Sequence, residues 1–231
     1  MLLIENLSKS YRDHLVLDKI SFQIEEGKIC GLFGRNGAGK STLLKILSGL
    51  EQKDGGRMTY DGRDFEIGKY PIISSMIESP SFFPEMTGYE NLMLLKDLCE
   101  DITPRDVLLA LKKVGLGEKK DTLVRKYSLG MKQRLYFAFA LMRKADIYLL
   151  DEPFNGIDPI ALDSFEKIVK DLASAGKTIL ISSHEIRELQ ALVTKGIFLD
   201  EGRIVYTDDD PQNHDIFQEF LAHISSSLEA Q

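Results

Sequence analysis

The segment Gly34-Arg35-Asn36-Gly37-Ala38-Gly39-Lys40-Ser41-Thr42 constrains this chain more than any other stretch. It satisfies the phosphate-loop pattern G-x-x-x-x-G-K-[ST] at every fixed position. Glycines let backbone N–H groups approach phosphate oxygens with no Cβ in the way. A helix beginning near Gly39 directs its positive end at an anion, and Lys40 adds a charge toward the outer phosphates. Ser41 offers a hydroxyl to Mg²⁺. The flanks agree with this reading. Ile29-Cys30-Gly31-Leu32-Phe33 is a short apolar run suited to a buried strand, and Leu43, Leu44, Ile46, Leu47 and Leu50 recur at helical spacing. Strand, glycine loop and helix in that order predict an α/β phosphate-loop NTPase core.

Ile147-Tyr148-Leu149-Leu150-Asp151-Glu152 supplies a second half of the same site. Four mainly apolar residues predict a buried strand whose end presents Asp151 toward magnesium. Glu152, one residue further, is placed to orient an attacking water or take its proton at a γ-phosphate.

Elsewhere, alternation of Ile20, Phe22 and Ile24 predicts a strand with one buried face, and residues 54–70 read as a small antiparallel β flap. Ile72–Ile77 reads as a strand. Two prolines then bracket Phe82 and Phe83 and break the pattern. From Thr87 to Arg143 the chain reads as helical, with starts at Thr87, Thr103 and near Ser128. Strands return at 147–150, 178–182 and 196–199, separated by helical stretches beginning near Asp158 and His184. The predicted architecture is a mixed, mostly parallel sheet with the β flap and an inserted helical lobe. Within one domain over 1–231, the core and flap take 1–78 and 146–206 and the lobe takes 79–145. A C-terminal helical tail takes 207–231. Its Ile216, Phe217, Phe220, Leu221 and Ile224 are expected to pack on their own domain.

Composition narrows the function. A net charge of −7 argues against a nucleic-acid partner. No apolar run approaches the ~18 residues of a membrane span. The opening residues lack the apolar stretch of a signal peptide, so a cytoplasmic location is expected. Cys30 and Cys99 have no metal-like spacing and are expected to be free thiols.

One further segment separates phosphate-loop families. Tyr127-Ser128-Leu129-Gly130-Met131-Lys132-Gln133-Arg134 resembles the signature of ATP-binding-cassette (ABC) transporter nucleotide-binding subunits, LSGGQ followed by a basic residue. With the two motifs above in the family's order, the resemblance covers about residues 2–206. It implies an ATPase using ATP and Mg²⁺. ATP contacts would come from Tyr11 stacking on adenine, Val16 beside the base, and Asn36, Gly37, Ala38, Gly39, Lys40, Ser41 and Thr42 around the phosphates. Mg²⁺ would be held by Ser41, Asp151 and Glu78, while Glu152 and His184 act on the water. Ser128 and Gly130 would reach the nucleotide of a second subunit, its own copy or a homologue, in a head-to-tail dimer. Asn155-Gly156-Ile157-Asp158 resembles the D-loop, with Asp158 communicating across that dimer. Integral membrane permease chains would complete the transporter, docking near Phe82 and Phe83, of which one ring is expected to be exposed. The protein would then sit on the cytoplasmic face of the cell membrane.

Four departures stand out. Tyr127 and Met131 differ from the signature, and Leu129 replaces its first glycine. Leu129 would either weaken the contact across the dimer or point toward the helical lobe, and the second reading is preferred. Glu78 stands where most members carry glutamine. With Phe82-Phe83 and Gly88-Tyr89-Glu90-Asn91-Leu92, it resembles ATPases of bacterial peptide-antibiotic resistance and lantibiotic-immunity exporters. Two other functions compete with the transporter ATPase: an ABC-type ATPase switch in a non-transport assembly, and a binding-only subunit beside an active homologue.

Overall fold

The computed structural model describes residues 1–220 except 79, 80, 100, 156–158, 214 and 217, and the backbone alone at 159–161. The central sheet contains β3 (Ile29–Phe33), β6 (Ile73–Met76), β7 (Ile147–Asp151), β8 (Thr178–Ser183), β9 (Lys195–Asp200) and β10 (Arg203–Asp208). Their order is β10-β9-β3-β8-β7-β6, parallel throughout except for the antiparallel β9–β10 pair. β3 and β8 are buried along their whole length because layers cover both faces, which is why they read as apolar runs without alternation.

A second, antiparallel sheet is built from β1 (Leu2–Tyr11), β2 (His14–Ile24), β4 (Gly55–Tyr60) and β5 (Arg63–Asp64), in the order β2-β1-β4-β5. Ile20, Phe22 and Ile24 are buried as the alternation requires. These flap side chains share one core with Leu43, Leu44 and Leu47 of α1 (Lys40–Ser48) and with Leu32, Leu149 and Leu180 of the central sheet. β1 has no legible period in the sequence because register shifts fall between Ile4 and Leu7, Leu7 and Lys9, and Lys9 and Ser10.

The opposite face of the central sheet carries the helices. α2 (Gly88–Lys96), α3 (Pro104–Lys113) and α4 (Leu129–Met142) form the inserted lobe, and α5 (Pro159–Ser174) packs below them. Thr87 and Thr103 each close a capping box, with Glu90 and Asp106, and Ser128 caps α4 by accepting the Met131 N–H. All three predicted helix starts are therefore real. The stretch expected near His184 is only one turn, α6 (Ile186–Leu189), because the chain must return at once to β9.

In the second core Phe137 of α4 stacks on Phe165 of α5, with ring centroids 4.4 Å apart. Ile216 and Phe220 of the tail are buried there too, Phe220 lying 4.9 Å from the Phe198 ring. Phe217, Leu221 and Ile224 lie outside the described residues. β10 continues to Asp208, two residues past the boundary expected at 206. Both cysteines are free, and burial pushes the Cys30 thiol pKa up.

Replacing Phe137 with Ala should cost about 3–5 kcal/mol, since it opens a cavity between helices joined by that ring stack. Urea denaturation measures this, and a loss below about 1 kcal/mol would contradict the packing described.

Candidate functional site

The site forms at the carboxyl ends of β3, β7 and β6, where parallel sheets bind ligands. β3 delivers the chain into the phosphate loop through Gly34, where a Cβ would sit 2.2 Å from the Leu199 carbonyl oxygen. Gly39, at φ 105°, starts α1, and a Cβ there would meet the Val16 carbonyl at 2.9 Å. The two glycines bend the strand into a helix whose first-turn N–H groups have no side-chain cap and face the loop. The loop encloses a cavity of about 170 Å³ lined by Val16, Asn36, Gly37, Gly39, Lys40, Ser41, Thr42 and Glu152. Ala38 is buried behind it, its N–H donating to the Arg35 carbonyl.

Lys40 is nearly buried and donates to the carbonyls of Gly34 at 2.7 Å and Arg35 at 3.2 Å. Burial lowers its pKa from the usual lysine value, against the opposing pull of Glu152 and Asp151. Its ammonium lies 3.9 Å from Glu152 Oε1. A desolvated cation held by two backbone carbonyls at the start of a helix is a fitting receptor for a polyphosphate, whose charge would complete it.

Ser41, Glu78, Asp151 and Glu152 line a neighbouring cavity of about 430 Å³. Hydroxyl and carboxylate oxygens are the hard donors that Mg²⁺ takes, so the residues fit that ion. Asp151 accepts a hydrogen bond from the Ser182 hydroxyl, and the same Oγ accepts the Glu152 N–H at 3.0 Å. Glu152 follows β7 at φ 46° and Glu78 follows β6 at φ 62°, left-handed conformations that few glutamates adopt and that surrounding structure must hold. Glu152 Oε2 accepts from Asn155 Nδ2 at 2.5 Å and lies 3.0 Å from His184 Nδ1. The carboxylate is thereby oriented from two sides, as a group that positions or deprotonates water needs to be. Glu78 pairs with Lys45 of α1, Nζ to Oε1 2.5 Å, and this contact raises the Lys45 pKa.

Other expected residues are placed further out. Tyr11 ends β1 half-exposed, its hydroxyl donating to Glu51 and its ring 5.1 Å from the Lys9 ammonium. It does not line the loop cavity, whereas Val16 does. Ser128 is exposed at the N-terminus of α4, next to half-buried Gly130. Leu129 corrects the preferred reading. It is 72% exposed and lies between the cavity shared with Ser41 and Asp151 and a second one at the lobe surface, lining both, and does not pack in the lobe interior. Tyr127 and Leu135 already fill the lobe interior beneath it, leaving the first residue of α4 on the outside. Phe82 packs against the lobe core while Phe83 is exposed, as expected of the pair. Asp158 lies outside the described residues.

Sequence reasoning missed Ser182, Asn155 as a holder of Glu152, Lys45, and Gln133, whose side chain donates to the Pro153 carbonyl at 3.1 Å. Only Ser182 left a signal, a hydroxyl at the inner end of an apolar strand.

This geometry, a phosphate loop facing paired carboxylates beneath a helical lobe, defines a phosphate-loop ATPase. Comparison with known proteins specifies it further. The family profile described as ABC transporter matches residues 17–155. The lantibiotic transport ATP-binding protein SrtF of Streptococcus pyogenes is 38% identical over 205 residues, covering 89% of each chain. The bacitracin transport ATP-binding protein BcrA of Enterococcus faecalis is 38% identical over 205 residues, 87% of this chain and 67% of its own. A dimeric post-hydrolysis state of the ATP-binding cassette MJ0796, bound to ADP and Pi, shares the fold. Its TM-score is 0.80 at 22% identity, covering 90% of this chain and 98% of that one. The chain belongs to the ABC transporter family, as its ATP-hydrolysing subunit. The non-transport switch is not favoured by these matches.

Ser182→Ala should destabilise the nucleotide-free protein by about 1–3 kcal/mol, because the half-buried Glu152 N–H loses its acceptor and Asp151 its donor. Chemical denaturation reads this directly, and an unchanged midpoint would contradict the role given to Ser182.

Proposed function

We propose that two copies of this chain, or one copy and a homologue, close head to tail around two Mg-ATP to drive export of a peptide antibiotic or drug through separate membrane chains. The observation that carries the ATPase half of this reading is the oriented Glu152. Its carboxylate stands beside the phosphate-loop cavity between Lys40, His184 and Asn155. The named activities of the lantibiotic and bacitracin relatives support the cargo class. The dimeric cassette that shares the fold supports the pairing.

In this reading the backbone amides from Asn36 to Thr42 and the Lys40 ammonium bind and neutralise phosphate charge. Ser41, Asp151 and Glu78 hold Mg²⁺, which when bound neutralises charge on the phosphate oxygens. Glu152 aligns the attacking water and accepts its proton at a carboxylate oxygen, while His184 and Asn155 keep that carboxylate in place. Tyr11 and Val16 meet the base. Ser128 and the N–H groups at the start of α4, near Gly130, face the terminal phosphate held by the opposite copy, and Asp158 communicates between copies. ATP closes the pair because the signature contacts exist only in the closed form, giving the differential binding a machine of this kind needs.

Phe83 is exposed between Phe82 and Pro84, which line a cavity of about 320 Å³ with apolar Val124 and Leu129 and polar Lys132 and Gln133. We assign the permease contact to this place. Among the described residues no helix is long and apolar enough to cross a membrane. Peripheral attachment to the cytoplasmic face would follow from that docking.

Glu152→Gln should slow ATP hydrolysis by about 100-fold or more while leaving a stable Mg-ATP dimer in sedimentation. Tagged Glu152→Gln protein from detergent-solubilised cells should retain a multi-span membrane protein in Mg-ATP. Wild-type turnover in the variant would remove Glu152 from its role. Recovery of soluble partners alone, with other membrane complexes intact, would remove the transport reading.

A further inference from the structure

Glu78, Asp151 and Glu152 bring three carboxylates to one cavity, beside a loop built to receive a polyphosphate. Left uncompensated, that charge would oppose ATP entry. Two of the three are answered nearby: Ser182 donates to Asp151, and Lys40 stands 3.9 Å from Glu152. Glu78 is more exposed than Glu152, with 69% of its side chain open to solvent against 25%. Its cation comes from Lys45, which lies on the same helix as Lys40.

α1 thus carries two lysines with separate tasks. Lys40, at its first position, lies in the loop among backbone carbonyls. Lys45, in its last turn, extends to the carboxylate beyond β6. The backbone of Lys45 has its own duty, since its carbonyl accepts the N–H groups of Leu50 and Glu51 that close the helix. A side-chain substitution leaves that closure intact. The left-handed backbone at Glu78 adds a second constraint, because such a conformation persists only where neighbouring structure over-determines it.

We propose that Lys45 is a positioning residue for the nucleotide reaction. Its ammonium holds the Glu78 carboxylate against α1 and balances its charge, so that ATP enters the cavity Glu78 lines. This rests on the reading of the phosphate loop as the ATP site. A lysine in the last turn of a helix also suits the helix dipole. That bland role predicts an effect on stability and none on nucleotide affinity, so the two are separable.

The test is the dissociation constant for ATP in excess EDTA at low ionic strength, with nucleotide-free melting recorded alongside. Wild type, Lys45→Met, Lys45→Arg, Glu78→Gln and the Lys45→Met/Glu78→Gln pair are compared. Lys45→Met should weaken ATP binding about fivefold, and added salt should shrink the difference. Glu78→Gln should tighten binding by a similar factor, and the double variant should return to within about twofold of wild type, because net charge beside the phosphates is restored. Lys45→Arg should behave as wild type. If the double variant stays as weak as Lys45→Met, Lys45 acts on phosphate directly and the proposal is overturned. It is equally overturned if Lys45→Met lowers the melting temperature without changing affinity. Lys40→Ala separates the two levels of the argument. If it leaves ATP affinity unchanged, the site assignment falls and the proposal with it; if it abolishes binding while the Lys45 and Glu78 variants show no compensation, the proposal alone falls.

Discussion

The exit of β3 into α1 is the constraint on which the rest depends. β3 is hydrogen-bonded on both sides, to β8 and β9, so its end is fixed. Gly34 passes under the Leu199 carbonyl and Gly39 passes under Val16, each at a distance no Cβ allows. The helix that follows therefore begins against the sheet end, with its first N–H groups toward the loop and the Lys40 ammonium folded back onto the Gly34 and Arg35 carbonyls. Leu43, Leu44 and Leu47 hold the helix there by packing between the flap and the central sheet. Loop conformation, helix dipole and buried lysine follow from one packing arrangement.

The remaining site chemistry is a matter of placing negative charge opposite that positive end. Parallel pairing of β6, β7 and β8 brings their carboxyl ends level, with Asp151 beside Ser182 in the register. Glu152 and Glu78 leave their strands in the left-handed region, which few glutamates adopt. Strain of this kind collects where geometry serves a ligand. The helical lobe contributes the third element. Ser128 caps α4 and leaves Leu129 at its tip, on the rim of the cavity lined by Ser41 and Asp151, so one face of the molecule carries both a phosphate loop and the helix end suited to another phosphate.

Much of this was legible in the sequence. The phosphate loop, the strand leading to Asp151 and Glu152, and the caps at Thr87, Thr103 and Ser128 are local chemistry, and local chemistry is what a sequence displays. The bulged β1 was not legible, since its shifts erase the alternation that marks a strand. Ser182 acts on a carboxylate 31 residues away, and its role exists only once β7 and β8 are adjacent, while Asn155 reaches Glu152 three residues before it only because the turn after β7 folds back at Glu152. Lys45 reads as an ordinary helix lysine until the end of β6 is brought beside α1. Leu129 was misjudged because its direction is set by the lobe interior, already filled by Tyr127 and Leu135, and not by its own apolar character.

The central claim is that each working site is built from two chains. Mixing Lys40→Ala protein with Ser128→Arg protein tests it most directly, because each variant alone has no intact site. A head-to-tail pair of one copy of each has one intact site, formed by the phosphate loop of the Ser128→Arg copy and the signature helix of the Lys40→Ala copy. Random pairing makes half the dimers mixed, so ATP turnover should recover to about a quarter of wild type in the mixture. Turnover in the mixture no greater than the mean of the two variants would show that each chain works alone, and would contradict the account.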